Sequence, residues 1–180
     1  MIKVSIPAVM ISLLSSLGLN AQSMNDESIR SQFINDWLRA KAYTIDYLNT
    51  VPANKYSFKA TDSIRSFAQQ MLHLAQSNVN IISAVAGVPN IFGDRNLEES
   101  KTAHIKDSVM HYVVSSYDLA INGLKKMNMG LLNEKVKFAV WEETKYAWLL
   151  KAFEHQTHHR AQTTIYIRLL GLHPPQERLF

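Results

Sequence analysis

Four long segments of helical periodicity constrain the fold of this chain more than any other feature. They run from about residue 27 to 50, 61 to 85, 96 to 127 and 144 to 170, and their apolar residues recur every three or four positions. This spacing puts the apolar side chains of each segment on one helix face, and four such faces can enclose a single core. The sequence therefore predicts an all-α fold, an up-down four-helix bundle.

Local signals predict where these helices begin and end. Thr61 is a candidate N-cap of the second helix, and Asn96 followed by Glu99 has the pattern of a capping box for the third. Gly171 marks the end of the fourth helix. The stretch KVKFAVW at 135–141 alternates as a strand does, but no partner run of similar character is visible. The strand signal is therefore weak.

The first residues differ from the rest of the chain. Lys3 is followed by a long apolar stretch and then by small residues that predict cleavage after Ala21. This pattern is typical of a secretory signal peptide, and Pro7 and the shortness of the apolar stretch argue against a membrane anchor. We predict a signal peptide at 1–21, a helical domain at 22–180, a periplasmic or extracellular location, and no stable membrane insertion after cleavage.

Composition excludes several classes of function. The sequence contains no cysteine, which rules out disulfides, thiolate nucleophiles and cysteine-based zinc sites, so a metal ion would need His, Asp, Glu or water as ligands. The formal net charge is +4, but the basic residues are scattered and no Lys/Arg run is interleaved with aromatic residues. We therefore predict no nucleic-acid partner.

The fourth predicted helix carries the most distinctive motif, AFEHQTHHRAQ at 152–162. His155 and His159 are four residues apart and so project from the same helix face, which is bounded by Trp148 and Leu170 and should point inward. Two imidazoles at this spacing can both reach one metal ion, as in HExxH zinc helices. Gln156 replaces the glutamate of that motif, so a zinc protease of that type is not supported. Histidines at the edge of the core, satisfied by hydrogen bonds, are the alternative.

A metal site would need a third ligand. The histidines that remain as candidates are His73, His104, His111 and His173. His104 and His111 lie on a helix rich in solvated positions, and His173 follows the fourth helix in a loop. His73 lies opposite the apolar stripe of the second helix, on a polar face. Spacing alone leaves open whether that face meets solvent or lines a cleft between helices.

Two blocks of sequence together resemble the DinB (damage-inducible) family of four-helix-bundle metalloproteins. They are ANKYSFKATDSIRSFAQQMLHLAQSN around His73 and LLKAFEHQTHHRAQTTIYIRLLGLHPP around His155 and His159, and the similarity extends over residues 25–176. The resemblance implies an open site in which His73, His155 and His159 bind a divalent metal ion, zinc or nickel. It also suggests that polar residues on the His73 face, namely Gln69, Gln76 or Asn80, line the approach to the ion.

The resemblance further implies a metal-dependent enzyme of the transferase or hydrolase type with a small-molecule substrate. The alternatives are a metal- or ligand-binding module without turnover and a scaffold whose histidines bind nothing. Some relatives transfer groups to cytosolic thiols, which the predicted export argues against. No catalytic residue is assigned, although Glu142, Glu143 and Glu154 are the carboxylates nearest in sequence. A homodimer is compatible with the family, and the loop AGVPNIFGDRN at 86–96 is either a lid or a connector.

Overall fold

Four α-helices dominate the computed structural model, which describes residues 25–180. The helices are α1 (Asp26–Thr50), α2 (Phe67–Ala86), α3 (Lys106–Lys126) and α4 (Lys145–Leu169), and a hairpin of β1 (Lys135–Phe138) and β2 (Trp141–Thr144) precedes α4. Short 3₁₀ turns occupy Ala53–Lys55, Lys101–Ala103 and Met129–Leu131. The predicted four-helix bundle is confirmed. The predicted signal peptide, 1–21, lies outside the described residues.

Two helices begin later than their sequence signals predict. The N-cap of α2 is Ser66, not Thr61, and it forms a reciprocal capping box with Gln69. The Asn96 side chain accepts a hydrogen bond from the backbone N–H of Glu98 instead of capping a helix, and α3 begins only at Lys106. Asparagine stabilises such local turns as readily as helix starts, which is why its position alone was misleading.

The strand signal at 135–141 does have a partner. β1 pairs antiparallel with β2, from Lys135 opposite Thr144 to Phe138 opposite Trp141. Ala139, in the tight turn between them, has a positive φ of 53°. The expectation that no partner exists was wrong because β2, WEET, lacks alternating apolar residues. The hairpin is stabilised by packing on α4, where the Trp148 indole donates to the backbone oxygen of Val136 at 2.9 Å.

Contacts between helices fix their relative directions. Phe33 packs on Tyr146 near the start of α1 and of α4, and Tyr47 bonds Thr164 towards both ends, so these helices are parallel. Gln70 near the start of α2 bonds His159 in the second half of α4, which fits an antiparallel pair.

Helices α2 and α3 also run parallel to each other. The Asn78 amide donates to the Ser116 hydroxyl midway along both helices, and Gly123 lies against Ala86 at the end of both. The four helices therefore run up, down, down, up, so the bundle is as predicted but α2 and α3 do not alternate in direction as an up-down order implies. Because α2 and α3 are parallel neighbours, their connection, residues 87–105, must return along the length of the bundle.

One hydrophobic core lies between the four helices. Its largest fully buried side chains include Trp37 of α1, Phe67 of α2, Tyr117 of α3 and Leu149 of α4. The side of α4 that faces this core therefore has a different environment from the side that carries His155. Within residues 25–180, no helix is long and apolar enough to span a lipid bilayer.

Candidate metal centre

Three histidines from two helices converge between α2 and α4. His73 comes from α2, and His155 and His159 lie one turn apart on α4; one ring nitrogen from each lies within 4.8 Å of the others. The ring centroid of His73 is 5.2 Å from that of His155 and 4.5 Å from that of His159. The polar face of α2 is thus turned towards α4, which decides the question that spacing left open for His73. The three residues form a group that could hold a metal ion.

One ring nitrogen of this group lacks a hydrogen-bond partner, as expected of a metal ligand. The Nδ1 atom of His155 is buried and has no hydrogen-bond partner among residues 25–180. A histidine at the edge of the core that served only packing would be expected to have such a partner. Neutral imidazole is also the commonest metal ligand in proteins, and it suits both zinc and nickel.

Glu98, from the connection between α2 and α3, orients the His73 ring. One carboxylate oxygen of Glu98 lies 2.6 Å from Nδ1 of His73. Because a carboxylate only accepts hydrogen bonds, this contact assigns the proton to Nδ1 and leaves Nε2 of His73 with a free lone pair. Arg65 pairs with the same carboxylate, and its guanidinium places a positive charge beside Glu98. The arrangement is the carboxylate–histidine pair that commonly supports a metal ligand.

Gln70 is the hydrogen-bond partner of the His159 ring, as Glu98 is of the His73 ring. Its side-chain oxygen lies 2.9 Å from Nδ1 of His159, and both residues are buried. If the amide oxygen accepts from Nδ1–H, the Nε2 atom of His159 is free for a ligand as well. Two of the three rings therefore have a hydrogen-bond partner at Nδ1 that holds the ring in position.

The surroundings keep the imidazoles of His155 and His159 uncharged at neutral pH. Burial, and then the neighbouring histidines, lower the pKa of His155 to about 4 and the pKa of His159 to about 3. Burial alone would raise the pKa of Glu98, but hydrogen bonds from Arg65 and His73 hold it below its ordinary value. A neutral imidazole is the form that binds a metal ion, so protons do not compete for the nitrogens of His155 and His159 near pH 7.

The polar face of α2 serves mainly to hold the connection that carries Glu98. The Gln76 amide donates to the backbone oxygen of Arg95 and accepts from the backbone N–H of Leu97. The Asn80 side chain accepts from Asn90. These side chains therefore bind the connection instead of lining an approach to the histidines. Residues 86–96 are thus fastened to α2 by side-chain hydrogen bonds.

Glu98 and Gln70 are the site residues that sequence reasoning missed. Glu98 is far from all three histidines in sequence, and its approach depends on the connection running back along α2. The predicted third helix, 96–127, contained Glu98, so the sequence carried no signal that this residue belongs to a connection beside His73. Gln70 was missed because the sequence places its neighbour Gln69 on the polar face of α2, and nothing in the sequence marks Gln70 as the residue that contacts α4.

The remaining histidines and the carboxylates nearest in sequence stay outside the group. His104 bonds the backbone oxygen of Glu98 at 2.9 Å, while His111, His158 and His173 are exposed. Glu142 lies 3.8 Å from Lys135 and Glu143 lies 3.6 Å from Lys151, both in ion pairs at the surface. Glu154 is exposed.

Replacing Glu98 by alanine is expected to weaken metal binding about 10- to 100-fold, the usual effect of losing such a supporting partner. The reason is that His73 would lose the group that fixes its proton on Nδ1. Affinity measured by competition with a chromophoric chelator tests this. Glu99→Ala is the matched control, since Glu99 is the exposed neighbour with the same charge. Equal affinities of the two variants would contradict the role given to Glu98.

Comparisons with known proteins agree with the fold. The sequence model of the DinB family matches residues 22–178. A DinB-like protein from Bacillus cereus ATCC 10987 has a similar fold, with a TM-score of 0.65 at 15% identity, over 82% of this chain and 96% of that one. A DinB-like protein from Bacillus subtilis matches with a TM-score of 0.63 at 17% identity, over 83% and 96% of the two chains. The search of curated proteins finds no match.

Proposed function

Because this chain belongs to the DinB family, we propose that it is a divalent-metal-dependent enzyme, of the transferase or hydrolase type, with a small-molecule substrate. The observation that carries the proposal is the convergence of His73, His155 and His159, whose ligand nitrogens lie within 4.8 Å of one another. A site made only of imidazole nitrogens favours zinc or nickel over calcium or magnesium, which prefer oxygen ligands.

The proposed roles of the residues follow from their contacts. The three histidines would hold the ion and leave at least one coordination position open, as catalytic sites do and closed structural sites do not. Bound there, a divalent ion would supply a Lewis acid that polarises a substrate group or lowers the pKa of a water molecule. Glu98 keeps the ring of His73 in the required tautomer, and Gln70 holds the ring of His159 in position. Burial of His159 helps to exclude competing protons.

One observation favours the alternative, a metal- or ligand-binding module without turnover. Hydrolysis benefits from a general base near the attacking water. Among residues 25–180, however, the carboxylate that contacts the trio is that of Glu98, which is already engaged by His73 and Arg65. We therefore assign no catalytic residue, and the experiment below separates enzyme from module.

The other expectations from sequence complete the proposal. We propose that the protein is exported to the periplasm or the extracellular space, on the basis of the signal-peptide pattern at 1–21. Its partner would be a small molecule and not a nucleic acid, and pairing into a homodimer is compatible with the proposal. Cell fractionation with an antibody against the untagged protein tests the location.

Metal analysis combined with a substrate screen tests the proposed function. Protein made without a His-tag should contain about one equivalent of zinc or nickel by elemental analysis. Thiol-transfer and ester substrates are then screened with and without a chelator, with the double variant His155→Ala/His159→Ala as the control. Turnover that a chelator abolishes and added metal restores supports an enzyme. Metal binding without turnover supports the binding module. Wild-type protein that binds neither zinc nor nickel would contradict both the enzyme and the module.

A further inference from the structure

A cavity of about 530 Å³ lies between α1, α4 and the C-terminal segment that follows α4. Its lining combines hydroxyl and basic groups with apolar surface and includes Tyr47, Arg160, Ala161, Thr164, Arg168 and Leu179. The volume is in the range of sites for small organic molecules. Because Arg160 faces α1 whereas His73 approaches α4 from α2, this cavity is separate from the histidine group.

Arg160 is the unusual residue of this cavity. It is only 6% exposed, yet no carboxylate of residues 25–180 forms an ion pair with it. Residues 1–24 contain neither Asp nor Glu, so the rest of the chain cannot supply a carboxylate either. A buried charge without a counter-ion is costly, which makes the position informative.

Part of that cost is offset by neighbours on one side of the guanidinium. Its Nη1 atom donates to the side-chain oxygen of Gln156 at 2.7 Å and, more weakly, to the Thr44 hydroxyl at 3.4 Å. Its central carbon lies 4.8 Å from the centre of the Tyr43 ring, a cation–π contact. These contacts hold the guanidinium in place, but none of them neutralises its charge.

The opposite edge of the guanidinium remains available. Within residues 25–180, the hydrogen bonds that Arg160 donates all come from Nη1, which leaves the Nε and Nη2 donors. These two N–H groups form the planar fork that binds both oxygens of a carboxylate. Thr164 and Tyr47 add hydroxyl groups to the same cavity.

We propose that this cavity binds a small organic carboxylate with a short apolar chain. The carboxylate would pair with the free edge of Arg160, and the apolar chain would lie against Ala161 and Leu179. Arg168 at the lining adds a second positive charge, whereas Glu177, from the C-terminal segment, contributes a negative one. The planar fork can bind two oxygens of a carboxylate or of a phosphate, but the apolar part of the lining favours an organic carboxylate over inorganic phosphate.

The C-terminal segment that closes the cavity is fastened to α1. Arg39 donates to the backbone oxygen of Arg178 at 2.9 Å, and the Arg178 guanidinium pairs with Asp46 at 2.8 Å. The cavity therefore has a wall on each side. Because it is separate from the histidine group, the binding of a carboxylate in it should not depend on the metal ion.

Calorimetric titration of hexanoate, hexanamide and inorganic phosphate tests the proposal. Hexanoate should bind at one site at least about tenfold more tightly than hexanamide, since only the carboxylate makes charge-assisted bonds. Its affinity should be the same with and without a chelator, which separates this site from binding at the histidines. Equal binding of hexanoate and hexanamide, tighter binding of phosphate, or loss of hexanoate binding with chelator would each overturn the proposal.

Variants locate the binding. Arg160→Gln should lose at least about tenfold in hexanoate affinity, whereas Glu177→Gln, which removes a negative charge, should gain affinity. Ala161 is exposed on α4, so Ala161→Trp fills the cavity without disturbing the core and should abolish binding even if Arg160→Gln fails to fold. Ile165→Ala, at an exposed position outside the lining, is the control and should bind as the wild type does. Unchanged affinity in Ala161→Trp would place the carboxylate elsewhere.

Discussion

Alanine at His73 is expected to reduce the affinity for zinc or nickel by more than about 100-fold. Loss of a group that merely supports a ligand costs 10- to 100-fold, so loss of a direct ligand should cost more. His155 and His159 would remain as a pair on one helix, and two imidazoles leave most of the coordination sphere to water. Competition with a chromophoric chelator measures the affinity, and circular dichroism checks that the variant keeps its helices.

The control for this prediction is His158→Ala. His158 has the same side chain, and its ring centroid lies 4.9 Å from that of His159, but it is exposed and outside the group of three. Removing His158 should change the metal affinity by less than about tenfold, which is the smallest effect expected for the loss of a supporting partner. If the His73 and His158 variants bind metal equally well, the proposed site does not exist in solution, whatever its geometry.

The contrast between the histidine pair and Glu98 shows what sequence can predict about such a site. His155 and His159 share a face because of the geometry of one helix, which local spacing determines. The position of Glu98 depends on α2 and α3 being parallel, because that arrangement sends the connection back along α2 to His73. Helix directions in a bundle arise from packing of whole faces against one another, and no local pattern in this chain encodes them.

The start of α2 shows the same limit at a smaller scale. Thr61 and Ser66 are both acceptable N-caps by residue type. The choice is made by the preceding loop, whose backbone oxygens accept from the first N–H groups of the helix: Phe58 from Phe67 at 2.9 Å, and Tyr56 from Ala68 at 2.8 Å. Because these partners come from a folded loop, the helix begins where they are available.

Replacing Trp37 by alanine is expected to cost about 3 to 5 kcal/mol of unfolding free energy, the largest stability effect we predict for a single site. Trp37 is fully buried, and its ring packs edge-on against Tyr117 of α3 and Phe153 of α4, at 5.6 and 5.8 Å between centroids. Its removal therefore leaves a cavity where three helices meet. Urea denaturation followed by circular dichroism measures the change, and a loss below about 1 kcal/mol would contradict this role of Trp37.

Trp37→Phe is the matched variant, and it should be much milder. The indole N–H of Trp37 is buried without a partner among residues 25–180, which carries a desolvation cost of about 1 to 3 kcal/mol. Phenylalanine removes that donor and keeps most of the aromatic contact, so the two effects oppose each other and the net change should stay below about 1.5 kcal/mol. Trp37 packs on the core side of α4, whereas His155 and His159 face His73 of α2. Metal affinity of the folded Trp37→Phe protein should therefore equal that of the wild type, and a large loss would show that the core and the metal site are coupled through α4.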